Sequence, residues 1–102
     1  MQIISKFKVK VKSTKIMGDY IALHGLVPNN ELPEHLRWKI PSHEIWIRRN
    51  VYDDKQRRNK ILEHEECELN LMIKEGLTYK KAHSISTRAE ELNDWSVCYK
   101  ST

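Results

Sequence analysis

The chain has 102 residues, enough for one small domain, and carries 18 Lys and Arg against 14 Asp and Glu. Its apolar runs are too short for a membrane-spanning helix, and its start lacks the apolar segment of a secretory signal. Cys67 and Cys98 are too few for a disulfide framework and too far apart for a zinc knuckle. We therefore expect a single domain over residues 1–102, with reduced thiols, located in the cytoplasm, or in the host cytoplasm if the protein is viral.

The first half of the chain predicts a small antiparallel sheet of three strands, over residues 6–12, 20–27 and 44–48. In the first strand, lysines alternate with Phe7, Val9 and Val11, which is the period of a strand with one buried face. Gly18 favours a turn after it. The second strand is therefore expected to pair back on the first as a hairpin.

The second half predicts two packed helices and a tail, over residues 53–75, 79–93 and 94–102. Asp53 or Asn50 can cap the first helix, and Gly76 is the expected stop. Thr78 can cap the second helix. The tail is expected to dock as a short strand or an irregular segment. Strands followed by helices predict an α+β fold class.

The first predicted helix carries a carboxylate where an apolar residue is expected. On a helical wheel, Glu65 lies within the arc that contains Ile61 and Leu69, while His64 and Glu68 lie just beyond its edge. Burying an ionised carboxylate without a partner costs several kcal/mol. An ion pair with a basic side chain or a rotation toward water would explain Glu65. A role as general base beside a metal-bound water would explain it as well.

The second predicted helix carries a polar stripe beside its apolar one. The polar residues recur at spacings of four, three and four, and they are Tyr79, His83, Ser86 and Glu90. His83 could complete a metal shell with His64 and Glu68, and Glu90 is a competing third ligand. Two imidazoles, one carboxylate and an open water position form the shell of hydrolytic zinc sites.

Three short motifs follow one another along the chain: Glu44-Ile45-Trp46-Ile47, His64-Glu65-Glu66-Cys67-Glu68, and Tyr79-Lys80-Lys81-Ala82-His83. This pattern, which covers about residues 43–90, resembles small archaeal and phage proteins of a minimal zincin type. More distantly it is similar to the minimal gluzincin metallopeptidases, which have a short sheet, a His-Glu-x-x-His helix and a following ligand helix. The departure from that motif is Glu68, which stands where the second His is expected.

The resemblance implies a Zn²⁺ site with three ligands, His64, Glu68 and His83. Glu65 would then activate water, Tyr79 would help to polarise a carbonyl, and Glu90 would be an alternative ligand or a support. The strand over residues 44–48 would line a groove to which an extended peptide or protein segment adds as a further strand. The tail could shield the site from bulk water. The implied function is a zincin-like, peptidase-type hydrolase.

Two other functions stay open at the level of the sequence. A non-catalytic module of the same fold, of viral or mobile-element origin, would hold a peptide or protein in the groove and bind no metal. A nucleic-acid-binding protein would use the basic residues of the first half, but no nucleic-acid motif supports it. The richness in Lys, Glu and Ile is typical of a heat-loving source.

The remaining histidines and the cysteines are not assigned to the site. His24, His35 and His43 have no partner at metal spacing and are expected at the surface or in turns. Cys67 points away from His64 on the wheel, and Cys98 is expected to fill a small apolar space.

Overall fold

The architecture is α+β, as predicted, with a three-stranded sheet followed by two long packed helices. The computed structural model describes residues 6–99. Its strands and helices are β1 (Lys8–Lys12), α1 (Thr14–Met17), β2 (Ala22–His24), β3 (Glu44–Arg48), α2 (Arg49–Tyr52), α3 (Lys55–Ile73) and α4 (Tyr79–Leu92). Short 3₁₀ turns lie at Asn29–Glu31, Glu34–Leu36 and Ser96–Tyr99. None of the helices in this range is long and apolar enough to cross a membrane.

The sheet is mixed, which corrects the prediction of an antiparallel sheet with a β1–β2 hairpin. The strand order is β1-β3-β2, with β3 parallel to β1 and antiparallel to β2. Ile45 and Ile47 are fully buried and Trp46 is 8% exposed, so β3 is buried on both faces. Such a strand belongs at the centre of a sheet, whereas the lysine-rich β1 suits an edge.

β2 ends at a close approach between two backbone segments. The Gly25 N–H donates to the Glu44 carbonyl at 3.1 Å. A Cβ added at Gly25 would collide with the backbone of Pro41 and Ser42. Glycine is therefore the residue that fits, and this contact fixes the end of β2 together with the preceding His24.

The long helices begin at side-chain caps. Asp54 accepts the Arg57 N–H and caps α3, so the expected cap at Asp53 or Asn50 is wrong. Those two residues lie in or directly after α2, a short helix that the sequence pattern did not separate from α3. Thr78 caps α4 as predicted, and Gly76 lies between the helices with a left-handed φ of 69°.

Over two turns α3 is enclosed on most sides. Residues 64–71 are buried apart from Glu66, because β2, α4 and the last 3₁₀ turn all contact this helix. The wheel predicted a buried face that includes Glu65, and Glu65 is indeed 4% exposed. The additional neighbours also bury His64 and Glu68, which the wheel placed beyond the edge of that face.

A disulfide joins Cys67 of α3 to Cys98 of the last 3₁₀ turn. The prediction of reduced thiols is wrong because the tail folds back across α3 and brings together cysteines that are 31 positions apart. The Tyr99 hydroxyl donates to Glu66 Oε1 at 2.7 Å, and the Asn70 amide donates to the Cys98 carbonyl. Up to residue 99 the tail is therefore a docked 3₁₀ turn and not a strand.

Replacing Gly25 with Ala should lower the free energy of unfolding more than replacing Gly76 with Ala. At Gly76 a new Cβ meets no atom of residues 6–99 within 4 Å, so its cost is that of the left-handed backbone, about 1–2 kcal/mol. At Gly25 the backbone itself must move, and we expect a loss of about 3 kcal/mol or more. Urea unfolding of both variants measures this difference, and equal losses would contradict the close approach at Gly25.

Candidate metal centre

The Glu68 carboxylate lies among three histidines that come from three different elements. His64 Nε2 is 3.2 Å from Glu68 Oε2, and His83 Nδ1 is 2.7 Å from the same oxygen. His24 Nε2 is 2.6 Å from the other oxygen, Oε1. The three predicted ligands therefore lie together, and a fourth residue, His24, joins them.

His24 is the residue that sequence reasoning missed. It is fully buried, so its assignment to the surface or a turn is wrong, whereas His35 and His43 are exposed. Its contact with Glu68 spans 44 positions and depends on the pairing of β2 with β3. The signal that the sequence offers is a histidine between Leu23 and Gly25, within a predicted strand of apolar residues.

Glu90 supports His64 from the side opposite Glu68. Its Oε1 is 2.9 Å from His64 Nδ1, while His64 Nε2 faces Glu68. A carboxylate that accepts the second N–H of a histidine fixes the ring orientation and leaves the other nitrogen for a ligand. Of the two roles considered for Glu90, the geometry therefore favours support over ligation.

Tyr79 packs against two of the histidines. Its ring stacks on His83 with centroids 5.4 Å apart, and it meets His24 edge-on at 6.0 Å. Burial raises the pKa of Tyr79, and the negative charges of Glu68 and Glu65 raise it further. The hydroxyl therefore stays protonated and can donate a hydrogen bond.

Glu68 is held as an anion. Burial by itself would raise the pKa of Glu68, but hydrogen bonds from His24, His64 and His83 outweigh it. The pKa of Glu68 consequently lies well below its ordinary value. A negative charge at the centre of the cluster is what a cation requires.

The surroundings of His64 and His83 favour the protonated form of both imidazoles. Burial lowers the pKa of His64, but the hydrogen bond to Glu68 and the charges of Glu65 and Glu90 outweigh it, and the net effect is a raised pKa. The pKa of His83 is raised chiefly by its hydrogen bond to Glu68, against some burial. Each imidazolium can thus direct a proton at Glu68 Oε2.

Glu65 lies next to the cluster with one oxygen unpaired. Within residues 6–99, its Oε1 is buried and has no hydrogen-bond partner. Burial raises the pKa of Glu65 to about 7, the charge of Glu68 adds to the shift, and the three histidines of the cluster oppose it. In that range Glu65 forms no ion pair with Lys or Arg, so the simplest explanation for its burial does not apply.

The donor set fits a divalent transition metal. Two groups of side chains have ligand atoms within 4.8 Å of one another, His64 with Glu68 and His83, and His24 with Glu65 and Glu68. Ligand atoms about 2.0–2.1 Å from a tetrahedral zinc ion lie about 3.3 Å apart. In the first group the separations from Glu68 Oε2 are 3.2 and 2.7 Å, so only small side-chain shifts would be needed.

A pocket of about 350 Å³ opens beside the cluster, with His64, Glu65 and His83 on one wall and residues 20–23 on another. It lies along β2, which within the described residues pairs with β3 alone. The prediction that a peptide adds as a strand beside residues 44–48 is therefore wrong, because β3 is hydrogen-bonded to β1 on one side and to β2 on the other. Up to residue 99 the tail does not line this pocket, so the expected shield is not provided by that part of the tail.

Comparison of the chain with protein-family models, with curated proteins and with solved structures finds no match. The likeness to minimal zincins therefore stays a prediction. It rests on the motif residues of the sequence.

In metal-free buffer, replacing Glu65 with Gln should remove a pH-dependent loss of stability. Because the folded-state pKa of Glu65 is raised from 4.5 to about 7, the contribution of the acid to stability is full below pH 4.5 and is lost as the pH rises through 7. At pH 8 the loss is on the order of 3 kcal/mol. Urea unfolding with chelator at pH 4.5 and pH 8 measures it.

Glu68, His64 and His83 titrate in both proteins, although the Gln variant also lacks the charge of Glu65 that raises the pKa values of His64 and His83. Burial is the largest cause of the raised pKa of Glu65, so the loss of the buried acid is the main difference between the two proteins. We therefore expect the Gln variant to gain stability relative to wild type between pH 4.5 and pH 8. A difference that stays the same at both pH values would show that Glu65 is not buried as an unpaired acid.

Proposed function

We propose that the protein is a metal-dependent hydrolase of the minimal zincin type that cleaves peptides. The observation that carries the proposal is the buried Oε1 of Glu65, which lies beside His64, Glu68 and His83 and has no hydrogen-bond partner in the described part of the chain. An acid in this position is costly for the fold, and a general base for hydrolysis accounts for it.

Three atoms would hold the ion: His64 Nε2, Glu68 Oε2 and His83 Nδ1. Two histidines and one carboxylate form an established shell for catalytic zinc, so the exchange of the second His for Glu changes the order of the ligands but not their kinds. The ion would take the place of the hydrogen bonds that now join His64 and His83 to Glu68 Oε2. When bound, zinc lowers the pKa of water toward ~7 and polarises a carbonyl oxygen.

Glu65 would move the proton in this reaction. Its carboxylate has one buried oxygen without a hydrogen-bond partner within residues 6–99, so it can take a proton from the attacking water and, once protonated, give it to the amine that leaves. The Tyr79 hydroxyl, which stays protonated, would donate a hydrogen bond to the carbonyl oxygen of the substrate.

The pocket along β2 supports a peptide as the substrate. Within the described residues the far edge of β2 has no partner strand, and an extended peptide can add to such an edge through backbone hydrogen bonds. Ala22 and Leu23 of this strand and Ile61 of α3 line the pocket, so apolar side chains of the substrate would find contacts there. A peptide lying along β2 passes the wall formed by Glu65 and His83.

Wild-type protein should bind about one zinc ion per chain, and removal of a ligand should weaken binding at least ~100-fold. His64→Ala, Glu68→Gln and His83→Ala are the test variants, measured by elemental analysis and chelator competition. His43→Ala and Glu63→Gln remove an exposed imidazole and an exposed carboxylate and should bind as wild type. Failure of wild type to take up stoichiometric zinc, iron or manganese would favour a non-catalytic peptide-binding module.

Replacing Glu65 with Gln should abolish peptide hydrolysis and leave the metal in place. The amide cannot accept the water proton, so we expect a loss of about 10²–10⁴-fold in rate for a fluorogenic peptide library. Glu63→Gln is the matched control on the same helix. A metal-loaded Gln variant that retains wild-type activity would refute the general-base role.

A further inference from the structure

His24 differs from the other two histidines of the cluster because one of its ring nitrogens accepts a hydrogen bond from a backbone N–H. The Leu26 backbone N–H donates to Nδ1 at 3.1 Å. Glu68 Oε1 lies 2.6 Å from Nε2. The ring is fully buried, so water does not compete for either nitrogen.

The contact with Leu26 determines the tautomer of the ring. A backbone N–H can only donate, so Nδ1 must keep its lone pair, and the single proton of the neutral ring is on Nε2. Nε2–H then donates to Glu68 Oε1. In this tautomer neither nitrogen has a lone pair left for a metal, so the group of His24, Glu65 and Glu68 is not a second metal site, although its ligand atoms lie close together.

We propose that His24 is a positioning residue that makes Glu68 a one-oxygen metal ligand. The inference rests on the metal site proposed above. Because Nε2–H occupies Oε1, Oε2 is the oxygen left to the ion, and it is the oxygen that faces His64 and His83. One oxygen in place of two favours the four-coordinate geometry of zinc over the larger shells in which a carboxylate binds through both oxygens.

The backbone around His24 gives the ring little freedom. His24 lies opposite Ile45 in the register of the sheet, and the following Gly25 is held against Pro41. The Tyr79 ring contacts the His24 ring in an edge-on arrangement, with an angle of 73° between the two ring planes. The sheet therefore fixes the position of the Nε2–H donor, whereas the ligand that this donor orients, Glu68, lies on α3.

Two substitutions separate the two hydrogen bonds of His24. Asn carries an oxygen that can accept the Leu26 N–H but is too short to reach Glu68, whereas the longer Gln can place an amide N–H near the position of Nε2. We expect His24→Asn to weaken zinc binding about 10–100-fold and to lower the visible absorption of bound cobalt(II), as four-coordinate geometry is lost. His24→Gln should restore most of both, and His43→Asn is the surface control.

A second measurement uses the wild-type protein and does not depend on the folding of a variant. Long-range ¹H–¹⁵N correlation spectra of protein with ¹⁵N-labelled histidine report the tautomer of each ring. We expect His24 to show Nε2–H both without metal and with zinc, while His64 and His83 acquire the shifts of coordinated nitrogens.

Each result of these two experiments either supports or contradicts the role proposed for His24. A coordinated Nε2 or a proton on Nδ1 of His24 would overturn the proposal, and so would a folded Asn variant with wild-type zinc affinity and cobalt spectrum. Equal losses in the Asn and Gln variants would also overturn it, because the donor to Glu68 would then not be what matters. Wild type that binds no metal would remove the hydrolase together with this role, whereas failure of the His24 tests alone would leave the metal site standing.

Discussion

The buried Glu68 carboxylate is the constraint on which the rest of the structure depends. An ionised carboxylate without partners would cost several kcal/mol in the interior, and the three hydrogen bonds that offset this cost come from β2, α3 and α4. These elements must therefore meet at one point. The sheet and the helix pair also meet through an apolar cluster that contains Ile45 of β3 and Leu69 of α3, and the Glu68 carboxylate adds a polar contact between them.

The same helix gives two neighbouring carboxylates opposite properties. Three imidazoles form hydrogen bonds with Glu68, and its pKa is lowered. Glu65 has one oxygen without a partner among residues 6–99, and its pKa is raised to about 7. A pair of acids whose environments separate their pKa values is the usual arrangement for a charged residue beside one that moves protons. This division of roles supports a catalytic reading more than a purely structural network, in which Glu65 would be expected to have a partner.

The sequence predicted what depends on local periodicity. The positions of α3 and α4, the burial of Glu65 and the meeting of His64 with His83 all follow from residues spaced three or four apart on two adjacent helices. The strand order, the Cys67–Cys98 disulfide and His24 were missed because each depends on contacts between distant parts of the chain. No pattern within β2 indicates that Gly25, the residue after His24, meets the backbone of Pro41.

The tail explains how a helix with so polar a sequence is buried. At about 100° per residue, Glu66, Cys67 and Asn70, which hold the tail, lie on the side of α3 opposite Glu65 and Glu68. The disulfide and its neighbouring hydrogen bonds thus close one side of the helix, and the site opens on the other side to the pocket along β2. Because the helix is enclosed elsewhere, water and substrate would reach Glu65 from that pocket, which is the direction in which a general base at this position can act.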